Sequence, residues 1–160
     1  MALVRVHLGA DHAAFEAKNN LAETLRAAGH EVVDHGPFDY DAEDDYPPFC
    51  LRAAEAVVRD GDSLGVVLGG SGNGEQIAAN KVRGVRAALA WNDETARLAR
   101  EHNNANVLSV GARQHKQDKV DSFVETFLGT PYSDEERHTR RIEMISRYES
   151  NGELPALPAS

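Results

Sequence analysis

The run Ser63-Leu64-Gly65-Val66-Val67-Leu68 is apolar without alternation and breaks into Gly69-Gly70-Ser71-Gly72-Asn73-Gly74. A strand with one wet face alternates apolar and polar residues, so this run must be buried on both faces. Helices are then needed on both sides of its sheet, and the rest of the chain supplies them. Residues 3–8 (ending at Gly9), 31–34, 85–90 and 106–110 read as four further short strands. Ala14, Ala17, Leu21, Leu25 and Ala28 recur at spacings of three and four and trace one helical face, closed by Gly29. Residues 49–58, a segment starting near Glu75, and residues 93–102, 119–128 and 134–150 read as further helices, the prolines of the stretch 37–48 holding off the second helix until Phe49. Strand and helix thus alternate, which predicts a single-domain, Rossmann-like three-layer α/β sandwich with a five-stranded parallel sheet and helices on both faces. The domain is expected over residues 1–150, with residues 151–160 as a proline-rich tail.

At 160 residues the chain is long enough to bury a real core. It carries 17 Lys+Arg against 26 Asp+Glu, or 17 − 26 = −9, a balance that argues against nucleic acid or an anionic membrane as partner. A small anionic ligand needs only a few well-placed cations, and the acidity is uneven: residues 1–60 hold 5 basic and 12 acidic side chains, or −7. One cysteine, Cys50, leaves no intramolecular disulfide or thiolate metal cluster, and it reads as an inert core residue. The histidines show no metal-ligand spacing, so no metal is assigned. With no signal-peptide pattern and no apolar stretch near the ~20 residues that span a bilayer, a cytoplasmic location is expected.

In a parallel sheet, ligands sit beyond the carboxyl ends of the strands. The glycine loop, with four glycines in six residues, can present bare amides to an anion or a developing oxyanion. It lacks the Gly-Lys-Ser/Thr of a phosphate loop, and Glu75 stands where the dinucleotide fingerprint needs glycine. Glu75 has two local readings: an acid complementing the helix dipole, worth well under ~1 kcal/mol, or a general base beside an oxyanion site. Ser71 is likewise loop filler or a hydroxyl donor. Asp11-His12 reads as a local cap or a catalytic pair, and His102 as dipole chemistry at a helix end or a site residue. Arg137 and Arg141, four apart on one helix, either pair with Asp134, Glu135 and Glu136 or join Arg113 in clamping a phosphate. Trp91 is expected to pack rather than line the cleft, and the acidic run 39–47 to be a solvated loop.

Gly9-Ala10-Asp11-His12-Ala13, Asp45-Tyr46-Pro47, Gly70-Ser71-Gly72-Asn73-Gly74 with Ile77-Ala78-Ala79-Asn80-Lys81, Arg100-Glu101-His102-Asn103-Asn104-Ala105-Asn106, and Arg137-His138 with Arg141 occur in this order. Together, over residues 4–148, they resemble the sugar-phosphate isomerase family of ribose-5-phosphate isomerase type B and galactose-6-phosphate isomerase. Many members of that family carry a cysteine base where this chain has Gly69; an actinobacterial-like branch uses a glutamate after the glycine loop, which Glu75 matches. The resemblance implies an aldose–ketose isomerase of the non-oxidative pentose phosphate pathway. It makes His102 the acid that opens the furanose, with Asp11 or a nearby group assisting, and Glu75 the carrier of a proton between C2 and C1. Gly70, Ser71, Gly72, Asn73 and Gly74 would hold the enediolate, Asn103 a sugar hydroxyl, Asp11 and His12 the ring or phosphate end, and Arg113, Arg137 and Arg141 the phosphate. No metal or organic cofactor is implied. The partner is a small sugar phosphate, and the assembly a homodimer or dimer of dimers with each site shared between two chains. A six-carbon sugar phosphate such as allose or galactose 6-phosphate as substrate, or a noncatalytic anion- or nucleotide-binding module with a flavodoxin-like sheet, is the alternative.

Overall fold

A computed structural model describes residues 2–159. Five strands, β1 (Arg5–Ala10), β2 (Glu31–Asp34), β3 (Leu64–Gly69), β4 (Ala87–Ala90) and β5 (Val107–Gly111), form one parallel sheet in the order β2-β1-β3-β5-β4. A 3-10 turn, His12–Ala14, leads into α1 (Phe15–Ala27); α2 (Pro47–Asp60), α3 (Asn73–Ala79), α4 (Asp93–Glu101), α5 (Gln117–Gly129) and α6 (Glu136–Asn151) complete the chain, with residues 153–159 exposed and irregular.

Period-2 alternation sorts the strand residues to two cores. Val6, Leu8, Val66, Leu68, Leu108 and Val110 pack with Leu21 and Leu25 of α1 and Val120, Val124 and Phe127 of α5. Val67 and Val107 face the other way, against Cys50, Ala53, Ala54 and Val57 of α2. Within β3 consecutive valines therefore serve opposite cores, which is why its sequence shows no alternation. Each fully buried side chain of this size contributes about 1.5–3 kcal/mol of burial. The second core is thin because α2 lies close: a Cβ on Gly9 would stand 2.6 Å from the Phe49 carbonyl oxygen.

The sequence reading placed every strand and α-helix, with shifts at the ends, and took the 3-10 turn His12–Ala14 for loop. β1 runs through Gly9 to Ala10 instead of stopping at Gly9. Pro47 and Pro48 do not delay α2 but form its first turn, where the missing amide would have had no partner and the fixed φ suits a helix. Trp91 is 61% exposed rather than packed; the two-residue turn between β4 and α4 carries its ring past the end of the sheet.

The helices that follow β1 and β3 lie on opposite faces, so the chain leaves these two paired strands in opposite directions and opens a crevice at their carboxyl ends, the switch point of such a sheet. The acidic loop 36–46 is tied beside it. Ala10 N donates to Gly36 O (3.0 Å), and Asp34 accepts from Gly36 N (2.8 Å) while pairing with the fully buried Lys18 (2.6 Å). Among the described residues no helix is long and apolar enough to cross a membrane.

Candidate active site

Asp11 and His12 follow β1, the glycine loop follows β3, and Arg113 follows β5, so all stand at the carboxyl end of the sheet. The loop spends its carbonyls on the neighbouring strand's end: Ala112 N donates to Gly69 O (2.7 Å), Arg113 N to Gly70 O (3.1 Å) and Ser109 Oγ to Gly72 O (2.7 Å). What it has left to offer is amide donors, the polarity a developing oxyanion requires. The Ser71 hydroxyl accepts from Asn73 N (3.2 Å) and is itself exposed. Gly72 has φ +87°, and a Cβ there would meet Leu89 Cδ1 at 2.7 Å, so glycine is required twice over. Arg113 lies over the loop, its Cδ 3.4 Å from where a Gly70 Cβ would be.

Glu75 occupies the first turn of α3, yet it is only 4% exposed. An acid that merely complements a helix dipole stays in water; this one is folded into the protein. Burial pushes its carboxyl above the ordinary carboxylate value and Asp11 adds to the rise, against the pull of its own backbone amide. A Cβ built on Gly69 would overlap the Glu75 carboxylate. The carboxylate therefore occupies the space that a side chain at position 69 would take, and a cysteine there and a buried Glu75 exclude one another. Gly69→Cys should expel Glu75 from its place above residue 69. A crystal structure of the variant checks this, and a Glu75 carboxylate still seated above residue 69 would refute the exclusion.

The other candidate residues lie elsewhere. His102 caps the carboxyl end of α4 and precedes β5, as does Asn103, so both sit at the amino end of the sheet. Gly65 of β3 donates to Asn106 O there (2.9 Å), whereas Gly69 pairs with Gly111 at the opposite end. Five residues of strand, about 16 Å, separate the two ends. His102 stacks on the buried His138 of α6, ring centroids 4.3 Å apart, and His138 Nδ1 bonds to Ser133 Oγ (2.9 Å). Burial depresses the His138 pKa, and His102, Arg137 and Arg141 depress it further; on α6 Arg137 adjoins His138 and Arg141 stands one turn on, which keeps both arginines at this end. Arg137 pairs with Glu135 (3.1 Å) and Arg140 with Glu136 (2.8 Å), both at the surface. One chain thus gathers Asp11, His12, Gly70–Gly74, Glu75 and Arg113 at one end, and His102, Asn103, Arg137 and Arg141 at the other. It does not bring the three arginines together.

Three further residues belong to these groups. Asp44 bonds His12. Tyr46 fills the space above Gly74, its hydroxyl 2.6 Å from where a Cβ would lie. His138 backs His102. Tyr46 and His138 were within recognised motifs but had no role assigned; Asp44 was lost in a charge run.

The family model described as Ribose/Galactose Isomerase matches residues 6–145. Ribose-5-phosphate isomerase B of Mycolicibacterium paratuberculosis is 53% identical over 157 residues, 98% of this chain and 99% of that protein. The Mycobacterium tuberculosis protein of the same name is 52% identical, covering 100% of this chain and 99% of its own length. Among solved structures, ribose-5-phosphate isomerase B of Mycoplasma genitalium with bound ribulose-5-phosphate superposes with a TM-score of 0.89 at 39% identity, over 92% of this chain and 97% of that one. Sheet order, glycine loop and full-length likeness agree, and the chain belongs to the ribose/galactose isomerase family.

Proposed function

We propose that this protein is a ribose-5-phosphate isomerase, interconverting ribose 5-phosphate and ribulose 5-phosphate in the pentose phosphate pathway. The observation that carries the reading is the buried Glu75 carboxylate beside a loop of amide donors. Likeness favours the five-carbon substrate, since the ribose enzymes reach 53% identity and a Clostridium acetobutylicum galactose-6-phosphate isomerase subunit 36%.

The chemistry follows from the residue types. His102 donates a proton to the furanose ring oxygen while the anomeric hydroxyl gives its own to the Asp11 carboxylate or a nearby group, giving the open aldehyde. Glu75 removes the proton at C2, and the charge that develops on O1 and O2 is met by the loop amides and Ser71, the interaction that contributes most to steps of this kind. O2 surrenders its proton to O1, and protonated Glu75 returns its own to C1, leaving the ketone and a free carboxylate. The raised Glu75 pKa suits the step, because a base is most effective when its pKa approaches the working pH. The reaction draws only on side chains and amides.

A complete site needs both ends of the sheet, so the reading includes a homodimer in which one chain's His102, Asn103, Arg137 and Arg141 meet the other's Glu75 loop and Arg113. The exposed apolar side chains of α6, Met144, Ile145 and Tyr148, support it as a surface for a second copy. Incubation with ribose 5-phosphate and measurement of ribulose 5-phosphate, beside six-carbon sugar phosphates, tests the activity; absent turnover by folded protein would reject it. Arg137→Ala should raise KM about 10- to 100-fold, the value of a charge-assisted hydrogen bond, with kcat nearly kept. A fall in kcat at constant KM would give Arg137 a different role.

A further inference from the structure

We propose that Asp44, from the acidic loop, is a positioning residue that holds His12 as a doubly protonated imidazolium and turns its Nε2–H toward the substrate's phosphate. This rests on the isomerase reading and adds a residue to it.

Asp44 Oδ1 accepts from the His12 backbone N–H (2.8 Å) and lies 2.8 Å from the His12 ring Nδ1. A carboxylate is an acceptor only, so Nδ1 carries the hydrogen. The backbone bond fixes the carboxylate and the side-chain bond fixes the ring, leaving Nε2 as its free vertex. The Asp44 side chain is only 10% exposed, and its Oδ2 is buried with no hydrogen-bond partner among the described residues. Burying a carboxylate costs least beside a positive charge, and His12 is the basic side chain in contact with this one.

The other titratable groups around the ring reinforce the choice. Asp11 precedes it in the chain, and Glu16 and Tyr40 line the same hollow with Ala13 and Phe15. No cationic side chain other than His12 lines that hollow among the described residues. The hydrogen bond that His12 donates to Asp44 lifts the His12 pKa above its ordinary value, burial opposing and Asp11 assisting.

The substrate explains why this matters. A phosphate monoester becomes a dianion near pH ~6, and an unperturbed histidine loses its charge near ~6.5. Dianion and imidazolium would coexist over only a narrow range. Asp44 extends that range upward, so the dianion meets a charged donor at neutral pH.

Asp44→Asn keeps the shape and the bond to the His12 amide but removes the charge. Three measurements on the full-length protein decide the matter: the His12 pKa by NMR, the pH dependence of kcat/KM for ribose 5-phosphate, and the pH dependence of inorganic phosphate affinity. In the variant the His12 pKa should fall by about one unit or more, as when an opposite charge is removed. The alkaline limbs of kcat/KM and of phosphate affinity should move to lower pH by the same amount. Should the asparagine variant not fold, Asp44→Ser is read in the same way. An unchanged His12 pKa overturns the proposal, and so does a lowered pKa with both alkaline limbs unmoved. Failure of the isomerase reading looks different: wild-type protein would not turn over ribose 5-phosphate, while the NMR and phosphate titrations would still decide the part played by Asp44.

Discussion

Glu75→Gln should lower kcat by roughly 1,000-fold, about 4 kcal/mol of barrier, with KM for ribose 5-phosphate little changed. Glutamine matches the carboxylate in size, so it fits the space above Gly69, but it accepts no proton from C2. Ribulose 5-phosphate held in deuterated water with wild-type protein should gain deuterium at C1, and with the variant it should not. The exchange isolates the proton transfer: ribulose 5-phosphate, with its 5-hydroxyl esterified, has no furanose to open. In the wild type, activity should fall as pH drops through the raised Glu75 pKa, because only the ionised form is a base. Stability should move the other way. A carboxyl whose folded pKa lies above its unfolded value contributes stability below the unfolded pKa and loses it as pH rises through the folded one. At neutral pH the buried ionised Glu75 is thus a net cost, and the glutamine variant should melt no lower than wild type. A variant that melts markedly lower would mean lost fold rather than lost base, and one retaining substantial kcat would remove Glu75 from the mechanism.

Mixing two inactive variants should restore activity. Glu75→Gln and His102→Gln each remove one end's contribution to the site. If a site draws Glu75 from one chain and His102 from another, a mixed dimer holds one intact site and one doubly damaged site. Random assembly makes half the dimers mixed, so activity should recover to roughly a quarter of wild type. The basis is the separation of the two ends of the sheet: His102 and Asn103 precede β5, while Glu75 and Arg113 follow β3 and β5. Co-refolding the variants and assaying the mixture provides the test. Activity no greater than the sum of the parts would mean that each chain works alone.

The strand–helix alternation was legible because burial on both faces leaves no room for polar residues in β3, and the glycine loop because its backbone needs those glycines. The two-ended distribution of the candidate residues was not read from the residues themselves; a site shared between chains entered only through the family resemblance. The burial of Glu75 was not legible either. It depends on a missing side chain six residues earlier, at Gly69, and no local pattern connects the two. Asp44 was hidden for a related reason: a run of acids states a charge but not which member turns inward, and that is decided by where Asp34 and Gly36 anchor the loop. Trp91 was misread because aromatic bulk argues for packing, whereas its position in a tight turn argues against it.

A carboxylate in the place of a thiolate also changes what can inactivate such a protein. Thiolate bases can be alkylated, and peroxide carries them through sulfenic to sulfinic acid, the second step essentially irreversible. Glu75 has no such ladder. The one thiol in the chain, Cys50, is fully buried, and burial with the neighbouring Glu75 and Asp11 charges holds it protonated and unreactive. With Glu75 as its proposed base, the protein should keep its kcat after a peroxide treatment that silences a cysteine-dependent counterpart.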